Sequence, residues 1–177
     1  NGGRLKPVHT LTSEYLRKIY GKDKFENQSS TEVLLGMMYN PVDWSKKELI
    51  KVSHKNLRTL FGSSDFDSKY IRISFNDCFG ENGHYLLSKE VELAYEKLPK
   101  DRAQYDKDVI KVDERVNICF AVFGGGIFRM FPLPNDSNNI WLTYTQSEQF
   151  SSNDSLFVAN IMPMYFRGVK EGFATNN

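Results

Sequence analysis

Two cysteines and three histidines are all that 177 residues contain, and that scarcity excludes much site chemistry at once. Cys78 and Cys119 lie 41 positions apart. With no CxxC and no CxxCH, the chain has neither a dithiol redox motif nor a point of covalent haem attachment. A bridge between the two thiols needs an oxidising compartment and a close approach that spacing alone does not show. Cys119 falls on an apolar helical face, where a free buried thiol is the commoner state. His9, His54 and His84 are scattered, and none has a companion at zinc-ligand spacing. They are chemically admissible as axial haem ligands, yet surface or core positions account for each. GxSxG is absent and the histidine nearest Cys78 is His84, so no activated nucleophile announces itself.

One-sided charge and long apolar runs are missing as well. Lys and Arg number 23 against 22 Asp and Glu, a formal charge of +1. That balance supplies no global field for nucleic acid or an anionic bilayer. The longest apolar stretch, 118–130, contains three glycines and Arg129. It falls short of the roughly 18–20 residues that cross a membrane. Its GGGIFR segment lacks the Lys-Ser/Thr of a phosphate loop and follows no clear strand, so helix packing explains it better. No signal peptide is visible and the chain opens on Asn1, which is expected of a piece taken from a longer precursor or of a matured chain.

What is present reads as a mainly α, irregular helical domain with at most a small β-hairpin. A composition 40% hydrophobic and 25% charged suits one domain, residues 1–177, with a core that needs no disulfide or metal. A first helix is predicted over about 12–20, capped by Thr12, with Leu11, Tyr15, Leu16 and Ile19 on one face and Gly21 at its end. Ser29 and Glu32 have capping-box spacing before VLLGMMY, and Asn40-Pro41 is the stop. Ser45 and Glu48 repeat that spacing for a shorter helix, and Ser53 caps another that Gly62 closes. Residues 70–75 alternate like a strand, and the turn at 80–83 suggests a hairpin into Tyr85. From Ser88 a stripe of Val91, Ala94, Tyr95 and Leu98 predicts a helix that Pro99 breaks.

The most telling segment follows. Val109, Val112, Val116, Cys119, Phe120 and Phe123 recur at spacings of three and four, which predicts a long helix over about 104–123 with one buried face. Three glycines at 124–126 extend it toward 130 only if the helix absorbs them, at about 1 kcal/mol each. A Pro- and Asn-rich loop is expected over 132–139, then a helix over about 153–171 kinked at Pro163. Asp113, Glu114 and Arg115 sit inside the periodic run, and Asn117 shares a flank with Asp113. A solvated face is one reading; an Asp113–Arg115 network that fixes the N-terminal segment is another, and a contact with a partner is a third. Arg4, Lys6 and Pro7 form a basic arm ahead of the first helix, a strut or a weak headgroup contact. Trp44, Trp141 and the MPMYF segment are candidates for an aromatic docking surface, with core packing as the default.

The runs GRLKPVHT, SEYLRKIYGK and VLLGMMYNPVDW, followed by DKDVIKVDERVNICFAVFGGGIFRMFPLPND, together resemble the extracytoplasmic segment of bacterial cytochrome c biogenesis membrane proteins. These are the haem-handling cytochrome c synthases, here in the fused form. Gly3, Arg4, Lys6, Pro7 and Thr10 match the family's Gly-Arg-x-Lys-Pro-x-x-Thr start. The resemblance implies a parent that exports haem and joins it to apocytochrome c by thioether ligation. It places this domain on the periplasmic side of the inner membrane, as a scaffold or docking element that is not catalytic alone. The membrane segments of the parent are then its partners, apocytochrome c is a further one, and nucleic acid is not. The family's tryptophan-rich haem motif, of the form WGxxWxWD, and its transmembrane histidines are absent, so no haem ligand transfers to His9, His54 or His84. Haem belongs to the parent, and no cofactor is expected on this domain. The implied structural or interface positions are Gly3, Arg4, Lys6, Pro7 and Thr10. The periodic helix adds Asp113, Arg115 and Asn117. Two rivals remain open: a free-standing periplasmic or surface binding module, which needs a deep apolar pocket, and a hydrolase, which needs a nucleophile and base in reach.

Overall fold

Helix α1 (Val8–Tyr20) begins four residues before the start predicted at Thr12. Pro7 occupies its N-cap, with no side-chain cap, and the Pro7 carbonyl accepts from the Leu11 N–H at 3.1 Å. Thr12, expected as the cap, is instead buried inside the helix. Its hydroxyl lies 3.1 Å from the His9 carbonyl and within 3.2 Å of the Ser30 hydroxyl. The buried face of α1 is therefore Thr12, Ser13, Leu16 and Ile19, part polar where the sequence pattern predicts Leu11 and Tyr15. Gly21 ends the helix in the left-handed region at φ 88°, as a glycine at that position can without strain.

The computed structural model describes residues 6–65, 67–129, 131–133, 140–143, 146, 164, 168 and 171. They fall into two compact units, one of residues 6–120 and one of the described residues from Ala121 on. The described residues are predominantly helical, with β-structure among them confined to three two-stranded antiparallel pairs and one isolated bridge.

In the larger unit, α1 leads to a tight hairpin of β1 (Lys24–Phe25) and β2 (Gln28–Ser29), then to α2 (Ser30–Tyr39). The predicted capping box is present: the Ser29 hydroxyl faces the Glu32 N–H at 3.4 Å, and Glu32 accepts from the Ser29 N–H at 2.7 Å. Asn40-Pro41 ends α2 as predicted, with Asn40 at its C-cap, and Pro41 then starts a further short helix, because proline is well suited to the first helical position. The result is α3 (Pro41–Trp44), with Ser45 at its C-terminal end, so the helix predicted from Ser45 does not form. Those residues lead instead into β3 (Ile50–Val52), which pairs with β4 (Ile71–Ile73) in the register Ile50↔Ile73. Helix α4 (Lys55–Leu60) is capped by His54, not Ser53: the imidazole Nδ1 accepts from the Asn56 N–H at 3.2 Å.

Beyond a short turn at Asn76–Cys78, the predicted hairpin reduces to one bridge, Phe79↔Tyr85, closed by Gly80 N–H to the His84 carbonyl at 2.9 Å. Helix α5 (Ser88–Glu96) buries only Ala94 of its predicted stripe. Tyr95 is 51% exposed, and Leu98, 61% exposed, lies past the helix end. Helix α6 (Gln104–Phe123) matches its prediction, and Val109, Val112, Val116 and Cys119 are buried. Phe120 is an exception at 69% exposure, since the buried stripe steps from 116 to 119 and leaves its neighbour outward. The core joins Leu16, Ile19, Val33, Leu34, Met37, Ile50, Val52, Leu57, Leu87, Val109 and Val112. Each such side chain stabilises by about 1.5–3 kcal/mol relative to exposure.

In the smaller unit, the glycines terminate α6. Gly125 has φ 68°, and the Gly126 N–H reaches back to the Ala121 carbonyl at 2.8 Å. Strands β5 (Phe131–Pro132) and β6 (Trp141–Leu142) then pair across the segment predicted as loop, whose residues 134–139 lie outside the described ones. The helix predicted over 153–171 also lies outside them, apart from Met164, Gly168 and Glu171, which are helical.

Candidate functional site

Helix α6 carries the predicted polar residues on two different faces. Residues two apart on a helix point roughly 200° from each other, so Asp113 and Arg115 do not pair. Asp113 is buried and accepts from the Tyr85 hydroxyl at 3.1 Å and from the Asn117 amide at 3.0 Å. Asn117 and Asp113 thus share a flank as their spacing predicts. Burial and then the Asp113 charge raise the Tyr85 phenol well above its ordinary value, so it stays a donor. Nothing in the sequence pattern marks Tyr85 as the third member.

Arg115 turns the other way. Its Nε donates to the Lys18 carbonyl at 2.9 Å and its Nη1 to the Lys51 carbonyl at 2.5 Å, tying α6 to the last turn of α1 and to β3. Arg72 supports the same helix end, donating to the Tyr20 carbonyl at 2.7 Å with its guanidinium 3.5 Å from the centre of the Tyr20 ring. Two cations therefore sit at the negative end of the α1 dipole. Arg72 carries no sequence signal for this task beyond its charge. The network anchors the C-terminal end of α1 rather than the N-terminal arm.

Around Arg115 lies an open cleft of about 220 Å³, lined by Arg17, Lys18, Lys111, Glu114, Arg115 and Ile118. Arg17 is paired with Asp23 at 3.0 Å and Lys111 with Asp108 at 3.0 Å. Among the described residues no carboxylate lies within ion-pair distance of Lys18 or Arg115. Burial disfavours the Arg115 charge, and the nearby Asp108 and Glu114 only partly offset it.

The described part of the arm motif, Lys6, Pro7 and Thr10, sits at the N-terminal end of α1. Gly3 and Arg4 lie outside the described residues. Lys6 pairs with Glu14, an exposed contact worth about 0–1 kcal/mol. Pro7 caps the helix and Thr10 is exposed on its first turn. A helix of this length is roughly 18–20 Å long, so Lys6, Pro7 and Thr10 are not brought together with Arg115.

The thiols and imidazoles have structural surroundings. Cys78 donates to the Ser74 carbonyl at 3.6 Å, and burial, with the Asp77 charge, pushes its thiol up to about 12. Burial also raises Cys119, so both thiols are protonated at neutral pH and poor nucleophiles. His9 is exposed on α1, His54 caps α4 with its ring 5.0 Å from Tyr105, and His84 packs against the Gly80 backbone. On separate elements and engaged locally, these histidines do not form a haem cradle. Among the described residues no group of three His, Cys, Asp or Glu is placed to hold a metal, and no helix is long and apolar enough to cross a membrane. Of the expected aromatic surface, Trp44 is 7% exposed and belongs to the core against Gly36 and Phe25.

No family model matches the chain. It is 43% identical over 145 residues, 82% of its length, to Protein NrfI of Wolinella succinogenes. The match covers 16% of NrfI, so the chain corresponds to a minor segment of that longer protein.

Proposed function

The chain belongs to the cytochrome c biogenesis family that includes NrfI, and on that premise we propose that it is an extracytoplasmic domain of a haem-handling membrane assembly. In this reading the parent exports haem and attaches it to apocytochrome c, and the domain organises the assembly or receives the apocytochrome. It lies on the periplasmic side of the inner membrane beside the parent's own membrane segments, and nucleic acid is not a partner. Residues 1–177 act as one functional piece, whose N-terminal positions Gly3, Arg4, Lys6, Pro7 and Thr10 set the join to what precedes them. Asp113, Arg115 and Asn117 hold α6 in place for that role.

The observation that carries the proposal is the 43% identity sustained over 82% of the chain. Identity at that level over so long a segment preserves the fold and its packing. The test compares haemin titrations of the 177-residue chain and of the full-length membrane protein. A Soret band with fixed axial ligation in the full-length protein alone supports the proposal. A stoichiometric Soret complex of the isolated chain, abolished by replacing one of its histidines, defeats it.

A further inference from the structure

We propose that the cleft beside Arg115 is a binding site for an oxyanion, a carboxylate or phosphate group. The inference does not depend on the role in cytochrome c biogenesis. Its basis is an imbalance within one cleft. Four cations and one carboxylate line it. Asp23 pairs with Arg17 and Asp108 with Lys111, which leaves Lys18 and Arg115 without an ion-pair partner among the described residues, facing Glu114, with Asp108 offsetting part of the Arg115 charge. A half-buried guanidinium normally meets a carboxylate, because backbone carbonyls satisfy its N–H groups without balancing its charge.

The geometry leaves donors for a ligand. Arg115 uses Nε and one Nη1 hydrogen on the Lys18 and Lys51 carbonyls. A guanidinium has more N–H groups than those two bonds consume, arranged as a fork that suits carboxylate or phosphate oxygens.

A helix C-terminus ordinarily repels anions through its free carbonyls. Here three of the last four carbonyls of α1 are occupied. The Arg17 carbonyl accepts from the Gly21 N–H at 2.9 Å, that of Lys18 from Arg115, and that of Tyr20 from Arg72. What the cleft shows a ligand is therefore mainly ammonium and guanidinium groups, with the single Glu114 carboxylate and the apolar Ile118 side chain beside them.

The test uses the 177-residue chain and inorganic phosphate as probe, at fixed ionic strength with chloride as the exchanged ion. Backbone amide signals and the Arg115 Nε–H are followed by NMR. Saturable shifts centred on Arg17, Lys18, Lys111, Glu114 and Arg115 are expected. Lys18→Gln should weaken the site about fivefold and Glu114→Gln should tighten it about threefold, each by removing one nearby charge. Both side chains are exposed, so neither substitution threatens folding. Vesicles of phosphatidylglycerol, against phosphatidylcholine, distinguish the source of the oxyanion. Saturable phosphate binding that responds to both variants identifies a free oxyanion. Recruitment to phosphatidylglycerol that Lys18→Gln removes, with no response to free phosphate, identifies a headgroup. A response no different from chloride together with no vesicle recruitment, or binding indifferent to both substitutions, overturns the site.

Discussion

Arg115 and Lys18 stand 97 positions apart in the chain, yet the Arg115 Nε lies 2.9 Å from the Lys18 carbonyl. That bond, with its companion to the Lys51 carbonyl, makes one side chain the junction of α6, α1 and β3. Replacing Arg115 by Gln should lower unfolding free energy by about 2 kcal/mol, the scale of charge-assisted hydrogen bonds lost from partly buried carbonyls. Urea denaturation followed by circular dichroism measures it. Lysine should rescue little, since an ammonium cannot span both carbonyls in a fixed plane. Wild-type stability in the Gln variant would show that the junction is ornamental.

Gly36 offers a sharper test of packing. A β-carbon placed there would sit 2.6 Å from Trp44 Nε1, closer than real contacts allow. Gly36→Ala gains helix propensity of about 1 kcal/mol but forces the indole aside, and overpacking costs about 1–3 kcal/mol. Net destabilisation is expected, with altered tryptophan fluorescence. Trp44→Leu should then reverse the sign of the alanine effect, which a double-variant cycle reads directly.

The capping box at α2 is testable by both stability and pH. Ser29→Ala should cost about 1 kcal/mol. The Ser29 hydroxyl and N–H hold the Glu32 carboxyl below its ordinary value. A depressed carboxylate contributes stability that is present above its unfolded pKa of about 4.3 and lost as pH falls through the folded one. Ser29→Ala should therefore flatten the stability profile below about pH 4–5, and unchanged curvature there would contradict the box.

Asp106 extends the acid argument. The Lys97 ammonium, 2.7 Å away, and the Ala103 N–H, 2.8 Å away, keep its carboxyl below the usual range despite partial desolvation. Its contribution runs in the same direction, present above about pH 3.9 and lost below it. In Asp106→Asn the acid limb of thermal melting should be shallower than in the parent. If the two limbs superimpose, Lys97 and Asp106 are not coupled in the folded chain.

The thiols should be silent in the native state. With Cys78 pushed up to about 12 and Cys119 also raised by burial, Ellman's reagent should label neither at neutral pH, and both after urea. Prompt labelling of the native chain would mean that one of them is reachable.

Periodicity alone determined the long helix, because Val109, Val112, Val116 and Cys119 repeat at helical spacing and bury together. Local chemistry was equally legible at Ser29–Glu32 and Gly21, where a cap or a left-handed turn depends on neighbours within three or four residues. Reading failed where two local signals competed. Ser45 and Glu48 have the spacing of a cap, but Pro41 begins α3 first, and Ile50 then finds Ile73 as a strand partner. Tyr95 and Leu98 share the pattern of a buried stripe, yet only a tertiary neighbour can bury it, and α5 ends at Glu96.

The site divides the same way. That Asp113 and Asn117 would meet follows from helix geometry, whereas their third partner Tyr85, 28 positions from Asp113, does not. Sequence supplied the charge of Arg115 and the chain's family likeness. Only the folded chain decided that this charge would close the end of α1 and face a cleft instead of Asp113. Hydrogen bonds over long loops depend on which surfaces pack, and packing is a property of the whole core rather than of any window along it.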